Sequence, residues 1–228
     1  MAQPTPIQMK AMKIEGPTIV YIYDALCGWC YGFSPVMQQL QHTYADRFDF
    51  RVISGGMITG ERIGPIGEVA PYIKWAYKEV EEKCGVKFGE GFLRGVLEEG
   101  STVFTSIPPA IAMAVFESYQ PRQTVAFASA LQRAIYYDGI DPNAFSAYGP
   151  HAAEFGIDAD EFVAKMGAPG FLEAAQRDFQ TAAQIGVSGF PTLFLYDGRQ
   201  WHLLARGYAP YMGIRRRVDK ILATTSVE

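Results

Sequence analysis

The chain has 228 residues, 49% hydrophobic and 19% charged, with a formal net charge of −4. That length buries a substantial core without disulfide staples, and charges of both signs spread along the chain leave no basic stripe for nucleic acid and no polybasic cluster for an anionic membrane. Met1 to Gly16 mixes Gln, Pro, Lys and Glu without an apolar run of signal-peptide length, and no later segment approaches a membrane span. The expectation is a cytoplasmic globular enzyme with no nucleic-acid or membrane partner.

Thr18 to Asp24 alternates Val20 and Ile22 against Tyr21 and Tyr23 and is predicted as a strand. It leads through Ala25 and Leu26 into Cys27-Gly28-Trp29-Cys30, which opens a helix carrying Val36, Leu40 and Tyr44 at helical spacing. Phe48 to Ile53 is a second short strand, and the helix between the two makes a right-handed parallel βαβ unit the expected connection. Gly55, Gly56, Gly60, Gly64 and Gly67 then break the pattern, and nearly everything up to Gly186 reads as helical. Punctuation bounds these helices at Pro65 to Cys84, Glu90 to Glu99, Ala110 to Tyr119 after Pro108-Pro109, and Gln123 to Tyr137. Pro142 to Phe155, Asp158 to Met166 and Phe171 to Ile185 complete the set. From Pro191 the chain reads as a hairpin, Thr192 to Tyr196 and Trp201 to Arg206, joined at Asp197-Gly198 as a two-residue turn. Pro210 opens a last amphipathic helix with Ile214, Val218 and Ile221 on one face and Arg215, Arg216 and Arg217 solvating the other. The predicted organisation is an α/β domain over 14–60 and 186–224, interrupted by an all-helical domain over 61–185.

Two thiols at the start of a helix form a site with its own chemistry. The positive end of the helix dipole favours a thiolate, the form that attacks disulfides. Cys27 is the expected exposed nucleophile and Cys30, one turn in, the resolving thiol. The third cysteine, Cys84, lies in the charged stretch Glu79 to Lys87 and reads as a partly buried thiol near a helix end. Three thiols do not suit a structural disulfide framework. Zinc would need a second Cys or His pair at short spacing, whereas Cys84, His42, His151 and His202 are isolated from one another, so no metal is expected. Haem attachment needs a histidine after the second cysteine, where Tyr31 stands.

The order strand, CxxC helix, strand, helical insert, hairpin, helix resembles the thioredoxin fold with a large inserted all-helical domain, in the branch that contains DsbA. Two motifs carry the likeness. Asp24-Ala25-Leu26-Cys27-Gly28-Trp29-Cys30-Tyr31-Gly32 is similar to the Asp-x-x-Cys-x-Trp-Cys-Tyr pattern of the FrnE-like cytoplasmic members, and Gly186-Val187-Ser188-Gly189-Phe190-Pro191-Thr192 resembles the family's Gly-Val-x-Gly-x-Pro-Thr segment. The resemblance implies a cis bond before Pro191, facing the CxxC turn, with the backbone of Phe190 presented to an extended substrate beside Cys27. Pro191 joins Cys27 and Cys30 as a catalytic position, and Trp29, Phe190 and Gly189 become the expected substrate contacts.

The implied activity is thiol-disulfide exchange. Cys27 attacks a substrate disulfide and Cys30 then displaces the substrate, or the reverse sequence oxidises a dithiol. The partners are a disulfide- or dithiol-containing protein or peptide and a cellular thiol reductant; no bound cofactor is expected, with glutathione as a candidate redox partner. Where thioredoxin and DsbA carry a buried acid six residues before the first cysteine, this chain has Tyr21, and Asp24 is the substitute for proton transfer or pKa tuning. Two other readings remain open. Kappa-class glutathione transferases and 2-hydroxychromene-2-carboxylate isomerases share the fold branch but have Ser in place of the first cysteine, and a redox-sensing or chaperone-like binding module would use the pair without turnover.

Overall fold

The computed structural model describes Met9, Met12 and residues 14–225, so most of the Met1 to Gly16 segment lies outside the described residues. β1 (Thr18–Tyr23) is the centre of the molecule: all six residues are buried, because the sheet is covered on both faces. α1 (Gly28–Tyr44) returns the chain to β2 (Asp49–Ser54), which lies parallel to β1, while β5 (Thr192–Tyr196) pairs with β1 antiparallel from the other side and β6 (Trp201–Arg206) closes the order β2-β1-β5-β6.

Alternation along the strands sends side chains to opposite faces. Ile19, Tyr21, Tyr23, Leu193 and Leu195 face one continuous core with Phe33, Met37 and Leu40 of α1 and with Ile214 and Val218 of α9 (Tyr211–Thr225). Val20, Ile22 and Phe194 face a smaller core closed by Ala182 and Ile185 at the end of α8 (Pro169–Gln184). The larger core runs without a break into the chain between β2 and β5, joining Phe92, Phe116, Phe127, Tyr148 and Phe162.

That intervening chain holds α2 (Ala70–Cys84), α3 (Glu90–Phe92, wound on through Leu93–Glu98), α4 (Ile107–Tyr119), α5 (Thr124–Arg133, wound on through Ala134–Asp138), α6 (Gly149–Ala153) and α7 (Ala159–Met166). Gly85, Gly100 and Gly139 end helices in the left-handed region, and the Asp158 side chain caps α7 by accepting the Glu161 N–H at 2.8 Å. Three boundaries differ from the sequence-based expectation. The helix predicted from Pro65 starts at Ala70, because Gly64–Pro65 (β3) pairs with Val103–Phe104 (β4) and Gly67 lies against the Gly100 backbone. The segment Pro142 to Phe155 is two short turns, Phe145–Ala147 and α6, since Pro150 is accommodated only in a first helical turn. The β5–β6 connection has four residues, not two: Tyr196 pairs with Trp201, and Asp197 Oδ1 accepts the N–H groups of Arg199 and Gln200 at 2.8 Å, building the turn from its side chain.

Candidate active site at the first turn of the central helix

β1 delivers the chain to Asp24, which is buried at 1% exposure and organises the turn that follows. Its Oδ1 accepts the Leu26 N–H at 3.0 Å and its Oδ2 accepts the Met57 N–H at 2.7 Å, while its carbonyl accepts the Cys27 N–H at 3.1 Å. Cys27 is the N-cap of α1, and its carbonyl accepts from Cys30 at 2.9 Å and Tyr31 at 3.0 Å. The sulfur of Cys27 therefore sits at the positive end of the helix dipole. It lies 3.7 Å from the carbonyl oxygen of Phe190, to which the thiol donates. The Phe190–Pro191 peptide is cis, and the Pro191 carbonyl accepts the Gly207 N–H at 2.7 Å, tying this turn to the end of β6.

Cys30 is fully buried, and burial pushes its thiol well above the ordinary cysteine range. A hydrogen bond with Cys27 and the charges of Cys27 and Asp24 raise it further, against a backbone hydrogen bond at Asp24 that lowers it. Against the expectation of an exposed nucleophile, Cys27 is also buried, at 6% exposure. The two cysteines differ in setting: Cys27 lies at the head of the helix beside a carbonyl, and Cys30 is sealed and held as a neutral thiol. Tyr21 seals it from below, its hydroxyl donating to the Cys30 carbonyl at 3.4 Å; burial keeps that hydroxyl protonated. From the side, the Gln132 amide of α5 donates to the Cys30 carbonyl at 3.3 Å and to Ser34 Oγ at 2.8 Å and accepts the Tyr31 N–H at 3.1 Å.

Asp24 reaches the thiols through charge. Burial raises its carboxyl, opposed by the N–H groups of Met57, Leu26 and Gly56 and by the Ser106 hydroxyl. Ser106 in turn accepts the Ile58 N–H at 2.9 Å, so Asp24 and Ser106 together hold the loop 56–58 beside the CxxC turn. The carboxylate therefore caps and fastens as well as charging the site.

Beside Cys27 opens a cavity of about 520 Å³, bounded by that loop, the paired strands β3 and β4, and α2. Trp29 lines it while half-buried, with the Tyr208 ring 6.4 Å away and the Lys83 ammonium 5.6 Å from its face. The Phe190 ring turns inward: a Cβ on Gly55 would fall 2.0 Å from its Cε1, so Gly55 is the space the ring occupies. Gly189 is engaged through its carbonyl, which accepts the Thr192 hydroxyl at 2.8 Å. Cys84, the last residue of α2, packs its sulfur on Gly32 of α1; burial pushes its thiol up to about 11. Among the described residues no group of three or more His, Cys, Asp or Glu is placed to hold a metal ion, and no helix is long and apolar enough to cross a membrane.

The residues missed from sequence are Gln132, the 56–58 loop and the apolar wall of α2. Only Gln132 carried a signal, an amide on a helix whose buried residues are otherwise apolar or the small hydroxyls of Thr124 and Ser129.

Residues 20–215 match the family model described as Thioredoxin. Among solved structures, a candidate protein disulfide isomerase from Nitrosomonas europaea is similar at 25% identity and TM-score 0.79, over 92% of this chain and 99% of that one. The cytosolic disulfide reductase DsbM from Pseudomonas aeruginosa is 27% identical with TM-score 0.76, over 91% and 99%; its complex with GSH matches at 28% and 0.73, over 90% and 99%. Two curated relatives are ClpXP adapter proteins SpxH, from Halalkalibacterium halodurans at 23% identity and Shouchella clausii at 22%, matched over 87% and 85% of this chain. The chain spans only 66% and 62% of the length of these two. With the family model covering most of the chain and a CxxC turn set against a cis-proline loop, this protein belongs to the thioredoxin family and has DsbA-like oxidoreductases as its structural relatives.

Proposed function

We propose that this protein is a cytoplasmic dithiol-disulfide oxidoreductase that reduces disulfides of protein or peptide substrates, with a cellular thiol such as glutathione as its electron source. The observation that carries this reading is the asymmetry of the pair: both thiols are buried, but Cys27 heads the helix beside the Phe190 carbonyl and lines the cavity, while Cys30 does not reach it and has its thiol raised. Cys27 thiolate attacks one sulfur of the substrate disulfide, and the other sulfur leaves as a thiolate that takes up a proton. Cys30 then loses its proton and attacks Cys27 sulfur, releasing the second substrate thiol and leaving the protein as the Cys27–Cys30 disulfide. Asp24 tunes the second step, its charge disfavouring a premature Cys30 thiolate. Pro191 and the backbone of Gly189 and Phe190 shape the edge on which an extended substrate rests, and Trp29 supplies a flat apolar contact. The reductase direction, the cytoplasmic setting and glutathione are supported by the likeness to DsbM; the FrnE-like assignment is supported by the motif Asp24 to Tyr31.

The test is equilibration in graded glutathione buffers, with the Cys27–Cys30 disulfide quantified by mass spectrometry. A reductase that draws its electrons from glutathione has a potential close to the cytosolic glutathione poise, about −220 to −320 mV depending on the method. A value well above it would assign oxidant or isomerase work instead. Absence of the intramolecular disulfide at every ratio would reject redox turnover. A second reading, a non-catalytic binding module, is favoured by the exposed Tyr72 and Trp75 on α2, each at 63% exposure. Multiple turnover with a dithiol reductant separates it from the enzyme.

A further inference from the structure

Cys30 must ionise in order to attack, and its surroundings oppose that. Burial, the hydrogen bond and charge of Cys27 and the charge of Asp24 outweigh one backbone hydrogen bond and hold the thiol protonated. The side chain placed to ease the step comes from the sheet. Tyr21, buried on β1, points its hydroxyl at Cys30: the oxygen lies 3.4 Å from the Cys30 carbonyl and is in hydrogen-bond contact with the Cys30 thiol. A bond of 3.4 Å is at the long limit of useful geometry. The carbonyl does not depend on it, because the Ser34 hydroxyl and the Gln132 amide each reach the same oxygen at 3.3 Å. The Tyr21 ring is fixed between those of Tyr23, 5.4 Å away, and Phe33, 5.8 Å away, so its oxygen stays in place while the O–H bond is free to turn.

We propose that Tyr21 is a catalytic residue of the resolving step: its hydroxyl turns from the Cys30 carbonyl to the Cys30 sulfur and donates a hydrogen bond to the thiolate that attacks Cys27. This inference rests on the exchange reaction proposed above. In that step the bond between Cys27 and the substrate sulfur breaks and the Cys27–Cys30 bond forms. The departing substrate sulfur takes the electron pair and the proton that Cys30 gave up. Tyr21 gives up none: burial, and after it the charge of Cys30 itself, keep the hydroxyl protonated, so it serves as a donor and never as a base. The same bond steadies Cys30 as the leaving sulfur when a thiol reopens the disulfide, so it sets the rate in both directions rather than the balance between them. Tyr23 supplies the internal comparison. It lies two residues along on the same face of β1, equally buried, and its hydroxyl has no hydrogen-bond partner among the described residues.

The experiment mixes the reduced full chain with excess 2-hydroxyethyl disulfide, quenches with acid, and follows the mixed disulfide on Cys27 and the Cys27–Cys30 disulfide by mass spectrometry. In Tyr21→Phe, which keeps the ring and loses one oxygen, the intramolecular disulfide should form at least about tenfold more slowly, as for a lost hydrogen bond to a charged group, while attack by Cys27 stays within about twofold. The mixed disulfide then accumulates, and the pH profile of the resolving step moves upward by about one unit, because a thiolate without its donor forms only at higher pH. Tyr23→Phe should match the parent in both steps. An unchanged resolving rate and profile in Tyr21→Phe would overturn the role of Tyr21 and leave the exchange reaction standing. Equal slowing of both steps, or an equal effect of Tyr23→Phe, would also overturn it by marking a packing defect. A parent chain that never forms the Cys27–Cys30 disulfide would overturn both.

Discussion

Cys27 stands between two walls built by different means. On the sheet side its neighbours are main-chain atoms: the Phe190 carbonyl at 3.7 Å, and the 24–27 turn and 56–58 loop fastened by Asp24 and Ser106. On the helical side its neighbours are side chains, Val80, Phe88, Phe104 and Tyr136 among them, gathered from segments distant in sequence. A wall of backbone atoms fixes where a disulfide must lie and is indifferent to the side chains it carries. A wall of apolar side chains does the opposite. One sulfur is thereby flanked by main chain on one side and by apolar side chains on the other.

The most severe way to break the comparison is to remove the atom both walls share. Cys27→Ser brings disulfide reduction down to the uncatalysed background in a turnover assay, whatever the substrate. The next effect falls on the support behind the sheet-side wall. Asp178 of α8 accepts the Ser54 N–H at 3.0 Å where β2 gives way to the 55–57 loop, and burial raises its carboxyl to about 7, with Arg51 and Arg177 lowering and Glu117 raising it. The folded protein therefore keeps a proton that the unfolded chain releases near pH 4, so this group costs stability as pH rises from about 4 to about 7, after which the loss is complete. Asp178→Asn retains an acceptor for Ser54 without the charge. Denaturant melts should show it more stable than the parent by on the order of 3 kcal/mol at pH 8, and equal at pH 4.

A substitution of intermediate effect sharpens the contrast between the walls. Gly55→Val drives a side chain into the Phe190 ring; the expected cost is about 1–3 kcal/mol in a melt, with a fall in kcat as the Phe190 carbonyl shifts from Cys27. Gly95→Ala, on the exposed side of α3 with nothing within 4 Å, should be neutral or stabilising by up to about 1 kcal/mol. The smallest effect belongs to Cys84. With its thiol raised to about 11, little thiolate is present at neutral pH, and Cys84→Ala should leave exchange rates unchanged and cost under about 1 kcal/mol.

The same division explains what was legible in the sequence. The sheet-side elements are written locally: the alternation of Thr18 to Tyr23, the CxxC step into α1 and the Gly-x-Pro-Thr run before β5. Phe190 showed one face and concealed the other, since a sequence does not say that a ring will fill the space over Gly55 while its carbonyl meets Cys27. The helical-side wall had no local signature. Strands of two residues, Gly64–Pro65 and Val103–Phe104, are too short for a period, and they displaced the predicted start of α2 to Ala70. Gln132 and Asp178 act on residues remote in the chain, and their sites appear only once the fold joins them.

The central claim, that Cys27 attacks and Cys30 resolves, is tested most directly by incubating Cys30→Ser with a disulfide peptide and mapping the adduct by mass spectrometry after alkylation. The account predicts a stable mixed disulfide on Cys27 alone, released by added dithiol. An adduct on Cys84, or none on a folded protein, would contradict it.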